Sequence, residues 1–253
     1  MQVRAYAKIN WSLRITGKRG DGFHDLETIF QEISLHDELT FTPAERLSLT
    51  CDEPTIPVDE RNLVMRAAQL LGAPPVAIDL RKRIPAGGGL GGGSSDAAAT
   101  LVALNEMFDL GRDDLPALAL QLGSDVPFFL VGGRAYATGR GEVLTPLPPE
   151  PAVPLLLLLP EERVMTGEAF ASLRSFSAPA GADARYVNDF EEPVFAKLPR
   201  LRELKQRLID AGATFAAMSG SGSTLFGTFR DAESRDRAMA QFGDVRAESC
   251  ETR

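Results

Sequence analysis

Residues Pro85 to Ala99, PAGGGLGGGSSDAAA, carry six glycines in the seven positions from Gly87 to Gly93. Glycine costs about 0.5–1 kcal/mol relative to alanine inside a regular element, so a run this dense has a backbone purpose, and close approach to a ligand is the one it suits. Ser94, Ser95 and Asp96 are N-cap residue types and Ala97 to Leu101 favour helix, which predicts a helix over about 95–108. A glycine loop feeding a helix N-terminus offers unpaired amides and the positive end of the helix dipole. It therefore predicts a phosphate cradle at residues 87 to 95.

Two better-known glycine loops are excluded by what flanks this one. Gly87-x-Gly89-x-x-Gly92 matches the dinucleotide-binding spacing, but that loop follows a continuously apolar parallel strand. Here Val76, Ile78 and Leu80 alternate with Ala77, Asp79 and Arg81, and the strand runs out through Arg81-Lys82-Arg83-Ile84-Pro85. A Walker A loop closes on Gly-Lys-Ser/Thr, which is absent. What remains is a third kind of glycine-rich phosphate loop, entering its helix through two serines. Upstream, Leu63, Ala67, Leu70 and Leu71 have helical spacing, with Asn62 as N-cap and Gly72 as stop.

Toward the N-terminus, residues 3 to 15 alternate, with Tyr6, Lys8, Asn10 and Ser12 on one face and Ala7, Ile9, Trp11 and Leu13 on the other. This predicts a half-buried strand, on which Lys8 and Asn10 either belong to the solvated face or serve a site. A turn-rich stretch, Gly17 to Gly22, precedes Phe23-His24, which reads either as a platform for a flat ligand or as a turn whose Phe23 covers the core. Residues 25 to 42 suit helix by spacing and strand by composition; strand is the expectation.

Beyond the loop, Asp113 and Asp114 open a short helix with a stripe of Leu115, Leu118 and Leu122, ended by Gly123. Asp125 follows in Ser124-Asp125-Val126-Pro127-Phe128. It is either an ordinary turn residue or, if it faces the phosphate loop, a base. After a strand at 134–138, the stretch Pro146-Leu147-Pro148-Pro149-Glu150-Pro151 predicts a linker and a division into domains 1–149 and 150–253. The second half predicts strand (153–159), helix (167–174), an irregular helix from Asn188, helix (200–211), two strands around Met218-Ser219-Gly220-Ser221-Gly222-Ser223, helix (232–242) and strand (245–250). That order fits an α+β sandwich with helices on one face of an antiparallel sheet. The second Gly-Ser loop is a hairpin turn or a wrap around a ligand that completes a cleft.

Composition narrows the partners. The chain has 253 residues and a formal net charge of −8, which argues against nucleic acid, whose phosphates are held by basic surfaces. The longest aliphatic run, Leu155 to Leu159, is far short of the roughly 20 residues that span a bilayer. Met1 leads straight into alternating residues, so no secretory signal is expected and the cytoplasm is the expected location. Two cysteines, Cys51 and Cys250, and two histidines, His24 and His36, support neither a disulfide framework nor a zinc site.

Taken together, Ala7-Lys8-Ile9-Asn10, the Pro-x-Gly-Gly-Gly-Leu-Gly-Gly-Gly-Ser-Ser loop and Met-Ser-Gly-Ser-Gly-Ser resemble the small-molecule kinases named for galactose, homoserine, mevalonate and phosphomevalonate. Within that superfamily, four further segments look most like the 4-diphosphocytidyl-2-C-methyl-D-erythritol kinases. They are Gly17 to Leu26, Asn62-Leu63-Val64-x-Arg66-Ala67-Ala68, Ser124 to Phe128 and Asn188-Asp189-Phe190-Glu191. The resemblance implies an α+β, two-domain fold: an N-terminal domain of the ribosomal-protein-S5-like type, a ferredoxin-like C-terminal sandwich and an active site in the cleft between them. It also implies transfer of the γ-phosphoryl group of ATP, with Mg²⁺, to the 2-hydroxyl of a cytidine diphosphate-linked methylerythritol in the non-mevalonate isoprenoid pathway, by a monomer or homodimer.

Carried over by position, Asp125 is the base and Lys8 polarises the hydroxyl. Asn10 binds the methylerythritol, Phe23 and His24 hold the cytosine, Tyr186 lies on its other face, and Gly220, Ser221 and Gly222 close on the substrate phosphates. Pro85, Gly87, Gly88, Gly89, Leu90, Gly91, Gly92, Gly93, Ser94 and Ser95 enclose the ATP phosphates, and Asn62 lies near the adenine. No motif assigns the Mg²⁺ ligands, Ser94 and Ser95 being candidates. The stretch 176 to 184 is short for the family. Asp96 stands where an asparagine is common, adding a negative charge near the phosphates. The competing readings are a kinase of the same fold for homoserine, mevalonate or a sugar, and a nucleotide-binding module without catalysis.

Overall fold

The polar face of the first strand is not solvated. In β1 (Gln2–Lys18), Lys8, Asn10 and Ser12 are buried along with Ala7, Ile9, Trp11 and Leu13. Alternation here marks a polar stripe with internal partners, because buried polar groups must be hydrogen-bonded. The stretch that suits both helix and strand is a second long strand, β2 (His24–Pro43). The structure, a computed structural model, describes residues 1–182 and 186–253, so the end of the short 176 to 184 stretch lies outside the described residues. By proximity the chain forms two units: Met1–Ala7, Leu35–Ala86 and Gly91–Gly132 make unit 1, and Lys8–Ser34, Gly87–Leu90 and Gly133–Arg253 make unit 2. Pro146 to Pro151 lies wholly inside unit 2, so these units are cut differently from a linear division at 149/150.

In unit 1, β3 (Ser48–Cys51), α1 (Leu63–Leu71), β4 (Val76–Arg81), α2 (Gly92–Met107), α3 (Leu115–Leu122) and α4 (Val126–Val131) follow one another. β4 pairs antiparallel with β2, Leu80 opposite Leu39 and Ile78 opposite Phe41, and β3 pairs parallel with β4. The inward residues of these strands meet Val64, Ala67, Ala68 and Leu71 of α1 and Ala97, Ala98, Leu101 and Leu104 of α2. Full burial of each leucine contributes about 1.5–3 kcal/mol, so this face holds the helices to the sheet. α1 has the ends its sequence predicts: Asn62 Oδ1 accepts the Val64 amide at 2.9 Å, and Gly72 stops the helix at φ 70°. α2 differs. It starts at Gly92, three residues ahead of expectation, with Gly91 at φ 73° as its N-cap. Ser94, Ser95 and Asp96 therefore lie in its first turns and do not cap it.

Unit 2 contains β5 (Arg134–Thr138), β6 (Val143–Pro146), β7 (Pro154–Leu159), α5 (Thr166–Ala171), α6 (Glu191–Lys197), α7 (Pro199–Asp210), β8 (Phe215–Met218), β9 (Leu225–Thr228), α8 (Ala232–Met239) and β10 (Arg246–Glu251). β1 pairs with β2, β5 pairs antiparallel with β2, and β6 with β5. A separate antiparallel sheet runs β10-β7-β9-β8, with Leu157 opposite Phe226 and Leu156 opposite Ser249. Leu156 and Leu158 of β7 pack with Leu201, Leu204 and Leu208 of α7, with Val194 and Phe195 of α6 and with Leu13 and Ile15 of β1. This is the predicted antiparallel sheet with helices packed on it. Among the described residues no helix is long and apolar enough to cross a membrane.

Candidate active site

The residues singled out from the sequence fall in both units, and each group is built differently. In unit 2 the buried stripe of β1 forms a connected network. Lys8 and Asn10, two residues apart on one strand face, meet through Lys8 Nζ and Asn10 Oδ1 at 2.5 Å. Lys8 Nζ also donates to the Gly89 carbonyl at 2.9 Å, and Asn10 Nδ2 donates to Thr28 Oγ1 at 2.7 Å, whose hydroxyl donates to the Ser12 carbonyl. A buried ammonium costs several kcal/mol to desolvate unless it is well partnered. The solvated-face reading of Lys8 and Asn10 is thereby overturned.

The two glycine loops meet at Gly89. Ser219 Oγ donates to the carbonyl that Lys8 holds, at 2.9 Å, and the Thr224 amide donates to the Gly88 carbonyl at 3.3 Å. Gly89 has φ +79°, and a Cβ there would sit 2.2 Å from the Ser219 carbonyl oxygen. Gly87 has φ +74° with open space around it. Left-handed backbone costs about 1–2 kcal/mol for a residue with a Cβ. Gly87→Ala is therefore expected to lower stability by about that much, and Gly89→Ala by clearly more. Thermal unfolding of the two variants checks this.

The aromatic group is also in unit 2. Phe23 is 50% exposed, so the core-cover reading is excluded, and the Arg140 guanidinium lies 4.6 Å from its ring centroid. His24 stacks on Phe170 with centroids 4.6 Å apart and planes at 17°, and Phe176 stands at 6.1 Å. Burial, helped by Lys18, holds the His24 pKa below its ordinary value. The imidazole is thus neutral at pH 7, with one nitrogen donating and the other accepting. Tyr186 stacks on Trp11 at 5.6 Å, and its hydroxyl accepts from Arg134 at 2.9 Å. The ring that lies parallel to His24 is Phe170 of α5.

In unit 1 the first turn of α2 supplies the amides of Gly92, Gly93 and Ser94, which have no partner within the helix. Ser95 Oγ donates to the Tyr6 carbonyl at 2.7 Å, tying that turn to β1, and Ser95 is buried. Asn62 uses both ends of its amide locally, Oδ1 on Val64 and Nδ2 on the Pro57 carbonyl at 2.7 Å. Asp125 occupies the N-cap position of α4, but its side chain makes no capping hydrogen bond. The simplest structural job for an aspartate there is thus not the one it performs.

Asp96 is not a loose charge beside the loop. Lys82 Nζ is paired with both Asp96, at 2.7 Å, and Asp37, and all three side chains are buried. Asp37 Oδ1 also accepts the amides of Arg83, at 2.6 Å, and Ile84, at 2.8 Å, the residues that lead into the loop. Burial, with Asp37 adding to it, pushes the Asp96 carboxyl up to about 7 against the pull of Lys82. Burial opposes the Lys82 charge, but Asp96 and Asp37 outweigh it and hold the ammonium pKa above its ordinary value. This clasp fixes both ends of the segment from 83 to 96. Among the described residues no group of three or more His, Cys, Asp or Glu side chains could hold a metal ion.

Two family models match the chain: the GHMP kinases N terminal domain over residues 62–133 and the GHMP kinases C terminal domain over residues 168–245. The 4-diphosphocytidyl-2-C-methyl-D-erythritol kinase of Prosthecochloris aestuarii is 41% identical, covering 95% of this chain and 93% of that one. The enzyme of the same name from Solibacter usitatus is 43% identical, covering 96% and 85%. A crystal structure of 4-(cytidine 5'-diphospho)-2C-methyl-D-erythritol kinase superposes with a TM-score of 0.89 at 38% identity, covering 100% of this chain and 99% of that one. Homoserine kinase from Cytophaga hutchinsonii shares the fold, with a TM-score of 0.72 at 18% identity over 100% of this chain and 94% of that one. Identity at this level over nearly the full length of both partners, with both GHMP models matched in order, means that the chain belongs to the 4-diphosphocytidyl-2-C-methyl-D-erythritol kinase family of the GHMP kinases.

Proposed function

We propose that the chain transfers the γ-phosphoryl group of ATP to the 2-hydroxyl of 4-diphosphocytidyl-2-C-methyl-D-erythritol, a step of the non-mevalonate route to isoprenoid precursors. The observation that carries this reading is the 41% identity to a kinase of that name over nearly the whole of both chains. In the transfer the substrate hydroxyl oxygen bonds to the γ-phosphorus, the bond from that phosphorus to the β,γ-bridging oxygen breaks, and the hydroxyl proton passes to Asp125. The chemistry requires positioning and charge neutralisation more than covalent help. Lys8, held at the Gly89 carbonyl and Asn10, supports both needs, and Asn10 is assigned to the methylerythritol. The glycine loop and the first turn of α2 are assigned to the ATP phosphates, and the Gly220 to Gly222 turn to the substrate diphosphate. Mg²⁺ would supply charge neutralisation at the phosphates, with the hydroxyls of Ser94 and Ser95 in the first turns of α2 as its candidate protein ligands. We keep 1–149 and 150–253 as the proposed sequence domains, since the two family models fall on either side of that point.

The cytosine is assigned to Phe23 and His24, with Tyr186 toward its other face, and Phe170 backs the imidazole. A neutral imidazole can address the acceptor and donor edge of cytosine, and ring faces suit the base itself. Base–aromatic stacking is worth about 1–3 kcal/mol. Phe23→Ala is therefore expected to raise the KM for the cytidyl substrate roughly tenfold or more, with the KM for ATP and the melting temperature unchanged, because Phe23 is exposed. An unchanged KM for the cytidyl substrate would sink the platform assignment.

A further inference from the structure

The run Asn188-Asp189-Phe190-Glu191 contributes to the family likeness, yet no step of the transfer uses it. Its polar side chains all turn onto the backbone of two other segments. Asn188 Nδ2 donates to the carbonyls of Met218, at 2.7 Å, and Gly220, at 2.8 Å, while its Oδ1 accepts the Phe190 amide at 2.9 Å. Glu191 Oε1 accepts the Met218 amide at 2.9 Å, and its other oxygen is paired with Lys205 at 2.6 Å. Asp189 Oδ2 accepts the Ile15 amide at 2.8 Å. The backbone joins in: Leu13 donates to Val187 at 2.7 Å and Asp189 donates to Leu13 at 3.0 Å.

One short segment is thereby bonded to β1, the strand that carries Lys8 and Asn10, and to the Gly-Ser turn. That turn needs a brace. Gly220 and Gly222 have φ +58° and +92°, and a glycine-rich backbone has much freedom to lose on ordering. The turn also lies against the network of β1. A Cβ on Gly220 would be 3.4 Å from the Gly89 carbonyl oxygen and 3.5 Å from Asn10 Oδ1, and Ser219 shares the Gly89 carbonyl with Lys8. Asn188 itself is buried, so its amide meets those two carbonyls without competition from water.

We propose that Asn188 is a positioning residue for phosphoryl transfer: one amide, gripping the carbonyls on either side of Ser219, holds the 218–222 turn in register with Lys8 and Asn10 so that it receives the acceptor's diphosphate. This rests on the assignment of that turn to the substrate phosphates. Removing the amide takes both of its grips from the acceptor's turn, while the glycine loop keeps its tie to Lys8 through the Gly89 carbonyl.

The test is Asn188→Ala, with Leu208→Ala, a core cavity in α7 of the same unit, as a control for lost stability. In Asn188→Ala the KM for the cytidyl substrate rises tenfold or more, kcat falls, and the KM for ATP stays within about twofold. Leu208→Ala loses melting temperature without that split. If Asn188→Ala does not fold, Asn188→Ser, whose hydroxyl can donate to one of the two carbonyls, shows a smaller rise with the same split. Hydrogen exchange over 218–222 is measured alongside without substrate, and is faster in the Asn188 variant than in Leu208→Ala. A cytidyl KM within twofold of wild type, equal rises in both KM values, or unchanged exchange overturns the proposal. A wild-type chain that does not turn over the cytidyl substrate refutes the functional reading instead, and the exchange measurement then decides on Asn188 alone.

Discussion

Asp125→Asn is expected to lower kcat by about 10²–10⁴-fold, the usual worth of a general base, while leaving the KM for ATP and the melting temperature near wild type. The fold should tolerate the change because the Asp125 carboxylate makes no capping bond to α4, and asparagine serves equally well at that position. The amide keeps the shape and the hydrogen-bonding oxygen but cannot take the hydroxyl proton. Steady-state ADP release with the cytidyl alcohol as acceptor measures the effect. A kcat within tenfold of wild type would remove Asp125 from the role of base and leave Lys8 and the loop amides to account for the rate.

Lys82→Met is expected to cost about 3–5 kcal/mol of stability, the usual penalty for leaving a buried charge without its partner. For a chain of this size that is a fall of roughly 10 °C in melting temperature, at about 2–4 °C per kcal/mol. The clasp joins Asp37 on β2 to Asp96 on α2, and both carboxylates would lose their one shared ammonium. The deficit should depend on pH. With its carboxyl pushed up to about 7, Asp96 binds a proton more tightly folded than unfolded. Its contribution is therefore full below the ordinary carboxylate range and is lost as pH rises through about 7. The Lys82 ammonium, with its pKa raised, stays charged over this whole window. Without it, Asp96 is left buried and ionised beside Asp37 at high pH and buried but neutral at low pH. Urea unfolding at pH 5 and pH 8 should show the larger loss at pH 8, and an equal or smaller loss there would contradict the clasp.

How far the sequence could be read depended on whether a residue's partner lies near it in the chain. Asn62 and Gly72 are local devices, a cap two residues from its amide and a left-handed stop, and the structure has both where spacing puts them. The glycine loop was legible as a loop because no regular element tolerates six glycines in seven positions. Its exit was misplaced because Ser94, Ser95 and Asp96 look like caps, whereas Gly91 in the left-handed region already starts the helix. The segments β3, α4 and β6, of four, six and four residues, are too short for periodicity to show.

What stayed hidden has partners far away in sequence. The polar face of β1 reads as solvated because alternation reports only that two faces differ; that Lys8 meets Gly89 becomes visible only in the fold. Asp96 finds Lys82 just past the end of β4 and Asp37 on β2, so its charge is absorbed by a clasp. Phe170 sits 146 positions from the histidine it stacks on, and nothing near it in the chain distinguishes it from a core aromatic. The residues assigned to catalysis, Lys8 and Asp125, were reached by likeness to a family.

The central claim is the identity of the alcohol that receives the phosphoryl group. The direct measurement incubates the wild-type chain with ATP and, in parallel, with 4-diphosphocytidyl-2-C-methyl-D-erythritol, homoserine, mevalonate and a hexose, following ADP release and the phosphorus NMR spectrum of each product. The account predicts ADP release with the cytidyl alcohol alone and a new phosphomonoester on its 2-hydroxyl. Equal or greater turnover of another alcohol, or ATP binding with no alcohol phosphorylated, would contradict it.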